Sequence, residues 1–565
     1  MRQETLWPPR RLPPAGWRKG SSELHGNRTC LESGVLVRGR TESLYCRRHR
    51  QFKRRSPRRR ARELRHSDGA LRRGKGLFLN GKSIKLQGTC NHQDHAGVGA
   101  ALPDRLQYFR AGVLKEMGCN AVRTSHNMPT PEWVDACDRM GLMMMCETRQ
   151  MSSNPSGMAE LEAMIKRYRN SPSIVIWSIG NEENALEGRR MAGQGAKIGA
   201  SMVELCHRLD PTRVVSAAVN ADNRQGVSDA LDIIGFNYNL PFAESFHKDF
   251  PTRPLFGSET NSVISTRGEY STVPSRNTME AYDTAPKHSD TLEALWEFYA
   301  TREWQAGSFA WTGFDYRGEP RPYSWPSINC YYGTVDMCGF PKDAFYYNQA
   351  WWGKEPVLHL FPHWNFEGRE GDEIPVWVYS NLDEVELLVN GKSLGRKPVP
   401  RLGHVDWQVH YEPGAIEAHG FKDGKQVMTD KRETTGPVVA IRLTADRTEI
   451  DADGEDVAML KVEGLDQQGQ AVPTASNMIS FTVSGPGQLI GVGNGDPTSH
   501  ESDKENRRSL FNGLAQAIVQ SSKQAGSIKI EASSGRGPGV APATLTITAK
   551  AVEPRPSVPV SSAQA

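Results

Sequence analysis

Two glutamates in the sequence follow apolar runs and have side chains that can transfer protons or attack an electrophilic carbon. Glu182 comes just after the run at 174–179, and Glu259 ends the run at 254–259. Two carboxyl groups held close together can divide the work, one as general acid and base and the other as nucleophile. The structural alternative is that each glutamate caps a following helix or pairs with a cation such as Arg123.

The two runs belong to a series of eight that read as β-strands. Each is short, rich in β-branched or bulky residues, and bounded by turn residues or helix signals. The eight runs cover residues 84–89, 120–124, 142–147, 174–179, 214–217, 232–237, 254–259 and 307–312. Ahead of the first run, Asn80-Gly81 predicts a type I′ hairpin turn, so we expect ordered structure to begin near Gly76.

Most of the segments between these runs have helical periodicity or residues that favour the start or end of a helix. The predicted helices cover residues 104–117, 131–140, 158–168, 189–209 and 292–305. Strands that alternate with helices in this way predict a (β/α)₈ barrel, of TIM type, over residues 76–353. The active site of such a barrel lies at the C-terminal ends of its strands. There, the fourth and seventh strands can bring two carboxyl groups within the roughly 5–5.5 Å that a retaining glycosidase uses.

The helical signal fades after the barrel, and short alternating runs replace it. Residues 355–435 predict one β-sandwich, in which Asn390-Gly391 marks a hairpin, and residues 437–550 predict a second, immunoglobulin-like sandwich. The Pro/Ser/Ala-rich stretch 551–565 is expected to be disordered. The predicted fold is therefore α/β, a (β/α)₈ TIM barrel followed by two β-sandwich domains.

Two motifs connect these residues to a known family. The sequence WSIGNE at 177–182 resembles the acid/base motif of glycoside hydrolase family 2, and PLFGSE at 254–259 looks like its nucleophile strand. The resemblance covers about residues 76–550. It implies that Glu182 is the general acid/base, that Glu259 is the nucleophile, and that Asn181 binds the sugar 2-hydroxyl. A neighbouring negative charge on Glu259 would favour the protonated acid that such a mechanism needs.

The same resemblance assigns five further substrate-binding residues. AVRTSH at 121–126 is similar to the strand-2 motif, so Arg123 would orient the nucleophile and His126 would bind sugar hydroxyls. The segment 88–95 contributes His92 to the rim, Tyr238 would hydrogen-bond the nucleophile, and Trp311 would stack beneath the sugar ring. The alternatives are a structural histidine, an ordinary rim aromatic and a core tryptophan.

Departures from the family pattern narrow the expected substrate. The magnesium-dependent β-galactosidase branch has a Glu-x-His pair after strand 3, which is missing after Glu147. The glucuronidase branch has an Asn-x-Lys motif after the nucleophile, and none occurs between Glu259 and Trp311. The resemblance therefore implies a metal-independent retaining exo-β-glycosidase acting on terminal β-D-galactosides, with no metal or other cofactor. The alternatives are a β-glucuronidase, a β-mannosidase or an inactive carbohydrate-binding protein.

Charge divides the chain into two unequal parts. Residues 1–75 hold 22 Lys and Arg against 6 Asp and Glu, a net charge of +16, so residues 76–565 carry −12 of the overall +4. The family normally places two domains ahead of its barrel, whereas this arm is Arg-rich, so we expect a disordered or mis-started leader. A basic arm could also bind nucleic acid, but its aromatics have no regular spacing and it has no amphipathic period.

The remaining features limit the cellular setting. The nine cysteines contain no Cys-x-x-Cys pair, so we expect buried free thiols and neither a disulfide framework nor a zinc site. No apolar stretch is long enough for a signal peptide or a membrane span. The chain as written is expected to be cytoplasmic, or secreted or periplasmic if its natural N-terminus differs. The expected partner is a β-linked carbohydrate, without nucleic acid or membrane.

Overall fold

The computed structural model describes residues 69–72, 75–188, 190–221, 223–260, 263–283, 290–535 and 539–553. Most of the predicted leader at 1–75 and of the predicted tail at 551–565 lies outside these residues. Arg189, where one helix is predicted to begin, also lies outside them, as do Cys30 and Cys46. The seven cysteines that the structure describes are buried free thiols, as predicted.

A small antiparallel sheet precedes the barrel. Its strands are β1 (Gly69–Arg72), β2 (Gly76–Leu79) and β3 (Lys82–Ile84). The predicted start of ordered structure at Gly76 is too late, because β1 lies ahead of it and pairs with β2. Asn80 and Gly81 have φ values of +50° and +80°, as a type I′ turn requires. Leu77 packs with Leu86 and Ala306, so this sheet covers the N-terminal end of the barrel.

Eight parallel strands close into a barrel, which confirms the predicted fold class. They are β4 (Leu86–Asn91), β5 (Ala121–Thr124), β6 (Met143–Glu147), β7 (Ile174–Asn181), β8 (Val214–Val219), β9 (Ile234–Asn237), β10 (Leu255–Thr260) and β11 (Gln305–Ala310). The closing pair is β11 and β4, with Gly307 opposite Leu86. The strands read as nearly continuous apolar runs because side chains fill the barrel on one face and helices cover the other.

Helices surround the barrel at nearly all the predicted places. They are α1 (Asp104–Glu116), α2 (Pro131–Met140), α3 (Pro155–Tyr168), α4 (Asn184–Glu187), α5 (Ala192–Leu209), α6 (Leu240–Asp249), α7 (Leu292–Thr301) and α8 (Asp343–Trp352). Helix α3 begins earlier than predicted because the Asn154 side chain accepts the N–H of Gly157 at 2.7 Å and caps it. The helix predicted over 292–305 ends at Thr301, since Gln305 already belongs to β11.

Two β-sandwiches follow the barrel, as predicted. The strands of the first are β12 (Leu358–Phe361), β13 (Glu373–Ser380), β14 (Glu384–Val389), β15 (Lys392–Pro398), β16 (Val405–His410), β17 (Ala415–Lys422) and β18 (Lys425–Glu433). Those of the second are β19 (Ala440–Ala445), β20 (Glu449–Asp451), β21 (Val457–Leu465), β22 (Met478–Ser484), β23 (Gly487–Gly493), β24 (Arg507–Ser509), β25 (Leu514–Ser521), β26 (Gly526–Ser533) and β27 (Ala543–Lys550). The first sandwich pairs the sheet β12-β13-β16 with the sheet β15-β14-β17-β18, and the second pairs β19-β21-β25-β23 with β20-β27-β26-β22-β24.

Buried polar contacts fasten the barrel loops to the second sandwich. The guanidinium of Arg267, after β10, donates to Asp336 at 2.7 Å and to the carbonyls of Asn494 and Phe511 at 2.8 Å. His95, after β4, lies 2.8 Å from the side-chain oxygen of Gln516 on β25. The loops that follow β4 and β10 therefore pack directly against the second sandwich. Within the described residues, no helix is both long and apolar enough to cross a bilayer.

Candidate active site

Polar and aromatic side chains converge where the barrel strands end. All eight predicted site residues belong to this cluster, which also includes residues the sequence did not single out. Its members are His92, Arg123, His126, Glu147, Asn181, Glu182, Asn237, Tyr238, Glu259, Trp311 and Tyr316. The cluster lies at the C-terminal face, where a (β/α)₈ barrel places its chemistry.

Arg123 on β5 is the hub of the cluster and is fully buried. Its Nη1 donates to Glu259 Oε2 at 3.0 Å and to the Ser258 carbonyl at 2.9 Å. Its Nη2 donates to Asn181 Oδ1 at 2.7 Å, and its Nε and Nη2 grip the two oxygens of Glu147 at 3.0 and 2.9 Å. The ion pair considered as the structural alternative for Glu259 is therefore present, within a network that also orients Asn181.

Glu147 is a site residue that the sequence reasoning missed. Its carboxylate ends β6, is fully buried, and also contacts His126 Nδ1 at 2.8 Å and the hydroxyl of Ser178 at 2.7 Å. Burial opposes its charged form, but the Arg123 charge and the His126 contact outweigh burial and hold the pKa of Glu147 below its usual range. The sequence contained the same signal for Glu147 as for the predicted pair, namely a glutamate at the end of an apolar run.

Asn237 joins the two candidate catalytic carboxylates. Its Nδ2 lies 2.8 Å from Glu182 Oε1 and 3.3 Å from Glu259 Oε2, and the Ser258 hydroxyl donates to its Oδ1 at 2.7 Å. Two oxygens at these distances from one atom are at most 6.1 Å apart. The carboxyl groups thus face each other at a spacing compatible with the roughly 5–5.5 Å of retaining glycosidases. Asn237 ends β9, next to the predicted Tyr238.

Both Glu182 and Tyr238 adopt left-handed backbone conformations, with φ of +52° and +58°. Such conformations cost a non-glycine residue about 1–2 kcal/mol and need support from their surroundings. The N–H of Glu182 donates to the Ala218 carbonyl at 2.9 Å, and that of Tyr238 donates to the Glu259 carbonyl at 2.7 Å. The support turns both side chains into the site, where the Tyr238 hydroxyl donates to Glu259 Oε1 at 2.8 Å.

Aromatic rings form one wall of the site. The rings of His126 and Trp311 stack with centroids 5.3 Å apart, and those of His92 and Tyr316 stack at 3.7 Å. His92 also meets Trp311 edge to face at 5.1 Å. Burial and the charge of nearby His126 lower the pKa of His92 to about 3, so its ring is neutral at neutral pH. The wall offers flat apolar faces beside polar ring nitrogens, which suits the two kinds of surface on a sugar.

The electrostatics of the site distinguish the nucleophile candidate from its neighbours. Burial raises the pKa of the Glu259 carboxyl above its usual range, and the charge of Glu182 acts in the same direction. The Arg123 charge and the Tyr238 hydrogen bond oppose this rise. Burial also raises the pKa of Cys90, which lies behind Arg123, to about 12 and keeps the thiol neutral. Among the described residues, no group of three His, Cys, Asp or Glu side chains is placed to hold a metal ion.

A barrel with two neighbouring carboxylates at the C-terminal ends of its strands is an arrangement that glycosidases use, and comparisons with known proteins give the family. Residues 70–326 match the model of the TIM barrel domain of glycosyl hydrolases family 2, and residues 441–546 match the family 2 C-terminal domain 5. Residues 371–428 match a domain of unknown function, DUF4982. The chain belongs to glycoside hydrolase family 2.

Individual relatives carry two different substrate names. The chain is 37 % identical to a β-galactosidase, BoGH2A, of Bacteroides ovatus over 82 % of this chain and 61 % of that protein. It is 29 % identical to a putative β-glucuronidase of Formosa agariphila over 78 % of this chain and 46 % of the relative. A β-glycosidase structure from Bacteroides vulgatus matches with a TM-score of 0.77 and 32 % identity, covering 85 % of this chain and 66 % of that one. The chain thus spans less than two thirds of these relatives.

Proposed function

We propose that this chain is a retaining exo-β-glycosidase whose preferred substrates are terminal β-D-galactosides. In the first step Glu182 protonates the glycosidic oxygen while Glu259 attacks the anomeric carbon and the bond to the leaving group breaks. In the second step Glu182 takes a proton from water, which displaces Glu259 and releases the sugar with retained configuration. Each glutamate returns to its starting protonation state.

The observation that carries this proposal is the shared contact of both carboxylates with Asn237. One amide nitrogen lies 2.8 Å from Glu182 Oε1 and 3.3 Å from Glu259 Oε2, so these two oxygens are at most 6.1 Å apart. This spacing supports a nucleophilic Glu259 over an inverting mechanism, in which the carboxyl groups stand about 6.5–9.5 Å apart.

The surrounding contacts fit the proposed roles. Arg123 and Tyr238 each donate to one oxygen of Glu259, so they aim the nucleophile and hold its charge. Asn181 uses its Oδ1 to accept from Arg123 and Asn237, which leaves its amide NH₂ to donate to a sugar hydroxyl. His126, His92 and Trp311 supply the ring surfaces on which the sugar would lie.

The choice of β-galactoside depends on the sequence and the relatives. The missing Asn-x-Lys motif removes the family's device for a sugar carboxylate, and the relative at 37 % identity is named a β-galactosidase. The second candidate is β-glucuronide hydrolysis, which the names of several relatives favour. The two sugars differ by a carboxylate at C6 and by the orientation of one hydroxyl, so a direct comparison separates them.

A panel of nitrophenyl β-glycosides tests the proposal. The panel contains the galactoside, glucoside, mannoside and glucuronide, with Glu259→Ala as the catalytic control. We expect the galactoside to be the best substrate and Glu259→Ala to lower kcat/KM by roughly ten-thousandfold. Better turnover of the glucuronide would establish the second candidate, and a folded wild-type chain silent on all four sugars would contradict the proposed activity.

Azide rescue of the two glutamate variants tests their individual roles. In Glu259→Ala, azide can occupy the vacated space and form the C1–N bond as the C1–O bond breaks, giving an α-glycosyl azide. In Glu182→Ala, azide attacks the glycosyl-enzyme from the water side and gives the β-glycosyl azide. The same anomer from both variants would contradict the assignment.

A further inference from the structure

Glu187 is a second carboxyl group behind Glu182 for which the proposed reaction has no role. It ends α4, the single helical turn that follows Glu182, and its side chain is fully buried. Its Oε2 accepts the backbone N–H groups of Asn220 and Ala221 at 3.0 and 3.1 Å. Its Oε1 is buried without a hydrogen-bond partner among the described residues. Buried polar atoms without a partner are rare in folded proteins and often belong to functional sites.

The two accepted N–H groups belong to the segment that directly follows β8. That strand also supplies the Ala218 carbonyl, which accepts the N–H of Glu182 at 2.9 Å. The turn 182–187 is therefore joined to the end of β8 at both of its ends, by the backbone of Glu182 and by the side chain of Glu187. The first junction holds Glu182 in its left-handed conformation.

The backbone at Gly195 and Gly226 packs closely against the turn 182–187. A Cβ added at Gly195 would lie 2.0 Å from the Leu186 carbonyl oxygen, and one added at Gly226 would lie 2.4 Å from it. The turn thus has no free space on the sides of α5 and of the 3₁₀ helix Gly226–Ala230. With those sides filled, the place of the turn against β8 depends on the Glu182 hydrogen bond to Ala218 at one end and on the Glu187 hydrogen bonds to Asn220 and Ala221 at the other.

We infer that Glu187 is a positioning residue for the acid/base carboxyl of Glu182. Its carboxyl ties the turn that carries Glu182 to the end of β8 and so keeps the Glu182 side chain aimed at the leaving-group oxygen. The inference rests on the proposed function. Burial raises the pKa of Glu187 to about 7, with the Glu182 charge acting in the same direction. An uncharged acceptor is therefore tolerated here, which makes glutamine the conservative replacement.

The test compares leaving groups, because only a poor leaving group needs a proton from the acid. In the full chain, kcat/KM is measured for a methyl β-glycoside and for the 2,4-dinitrophenyl β-glycoside of the same sugar. We define the ratio as kcat/KM for the methyl glycoside divided by kcat/KM for the dinitrophenyl glycoside. We expect Glu187→Ala to lower this ratio by about tenfold or more. Glu187→Gln keeps an oxygen that can accept both N–H groups and should restore the wild-type ratio.

Asp283 provides the matched control. Its carboxylate likewise accepts two backbone N–H groups, those of Leu292 and Glu293, at the start of α7. We expect Asp283→Ala to lower thermal stability and leave the ratio between the two substrates unchanged. An equal loss on both substrates in Glu187→Ala, or the same change of ratio in Asp283→Ala, would overturn the positioning role.

Two further measurements separate the inference from the proposed function. Glu182→Ala must itself change the ratio; if it does not, the acid role and the positioning role both fall. If it does and Glu187→Ala does not, only the positioning role falls. The rate of amide hydrogen exchange in peptides covering 182–187 should rise about tenfold or more in Glu187→Ala but not in Asp283→Ala. Unchanged exchange would contradict the tie between Glu187 and β8 independently of turnover.

Discussion

At the residue scale, the site depends on hydrogen-bond donors that hold the Glu259 carboxylate in one orientation. One oxygen of Glu259 accepts a hydrogen bond from Arg123 at 3.0 Å, and the other accepts one from Tyr238 at 2.8 Å. Because the carboxylate is buried, these two donors replace the water that would otherwise solvate its charge. Loss of either donor would therefore change the charge and the orientation of Glu259, the proposed nucleophile.

Tyr238→Phe isolates one of these donors. A hydrogen bond to a charged group contributes about 1.5–3 kcal/mol, so we expect kcat/KM to fall by about tenfold to a hundredfold while the fold is retained. Tyr323→Phe is the control, since the Tyr323 hydroxyl donates to the Thr278 carbonyl on an outer loop. Steady-state kinetics on the preferred nitrophenyl glycoside gives both values. A loss below twofold in Tyr238→Phe would show that its hydroxyl does not support Glu259 as the proposed nucleophile.

At the element scale, barrel closure depends on how tightly β11 approaches β4. Gly307 on β11 has φ of +108°, and a Cβ there would lie 2.3 Å from backbone atoms of Leu86. These two residues pair across the junction of the last and first barrel strands. No side chain movement can relieve a clash with backbone, so an alanine would have to shift a strand.

Gly307→Ala is expected to lower the free energy of unfolding by about 2 kcal/mol or more. Gly193→Ala serves as its control, because a Cβ at Gly193 in α5 meets nothing within 4 Å and alanine favours a helix by about 0.5–1 kcal/mol. That variant should be as stable as the wild type or slightly more stable. Urea denaturation measures both, and equal stability of the two variants would mean that the β11–β4 junction adjusts easily.

At the scale of the whole molecule, His95 is a buried neutral residue at the contact between the barrel and the second sandwich. Burial and the charge of Arg110 lower the pKa of His95 to about 3, whereas an unfolded histidine titrates near 6.5. Between these values the unfolded chain binds a proton that the folded chain does not. The contribution of His95 to stability is therefore present above about pH 6.5 and is lost as the pH falls.

We expect His95→Gln to flatten the pH dependence of stability below pH 6.5 by up to about 1.4 kcal/mol per pH unit. Glutamine stays neutral and its amide can still reach Gln516. The control is His410→Gln on β16, which is exposed and should leave the slope unchanged. Denaturant unfolding at several pH values measures the slopes. Equal slopes for wild type and His95→Gln would contradict a buried neutral histidine at this contact.

Local pattern in the sequence was enough to predict the barrel, the sandwiches and the positions of Glu182 and Glu259. Strand and helix periodicity, the Asn80-Gly81 turn and carboxylates that end apolar runs are all set by residues close together in the chain. The boundaries of α3 and α7 differed from the prediction, since the Asn154 cap starts α3 earlier and the beginning of β11 at Gln305 ends α7 sooner.

Only the tertiary structure decided which side chains meet. Asn237 on β9 bridges Glu259 on β10 and Glu182, which follows β7. Glu147 accepts hydrogen bonds from Arg123 on the neighbouring strand, and Glu187 reaches the end of β8. Such contacts depend on the register of parallel strands and on the closing of the barrel. Those depend on packing between residues far apart in the chain, which no short stretch of sequence records.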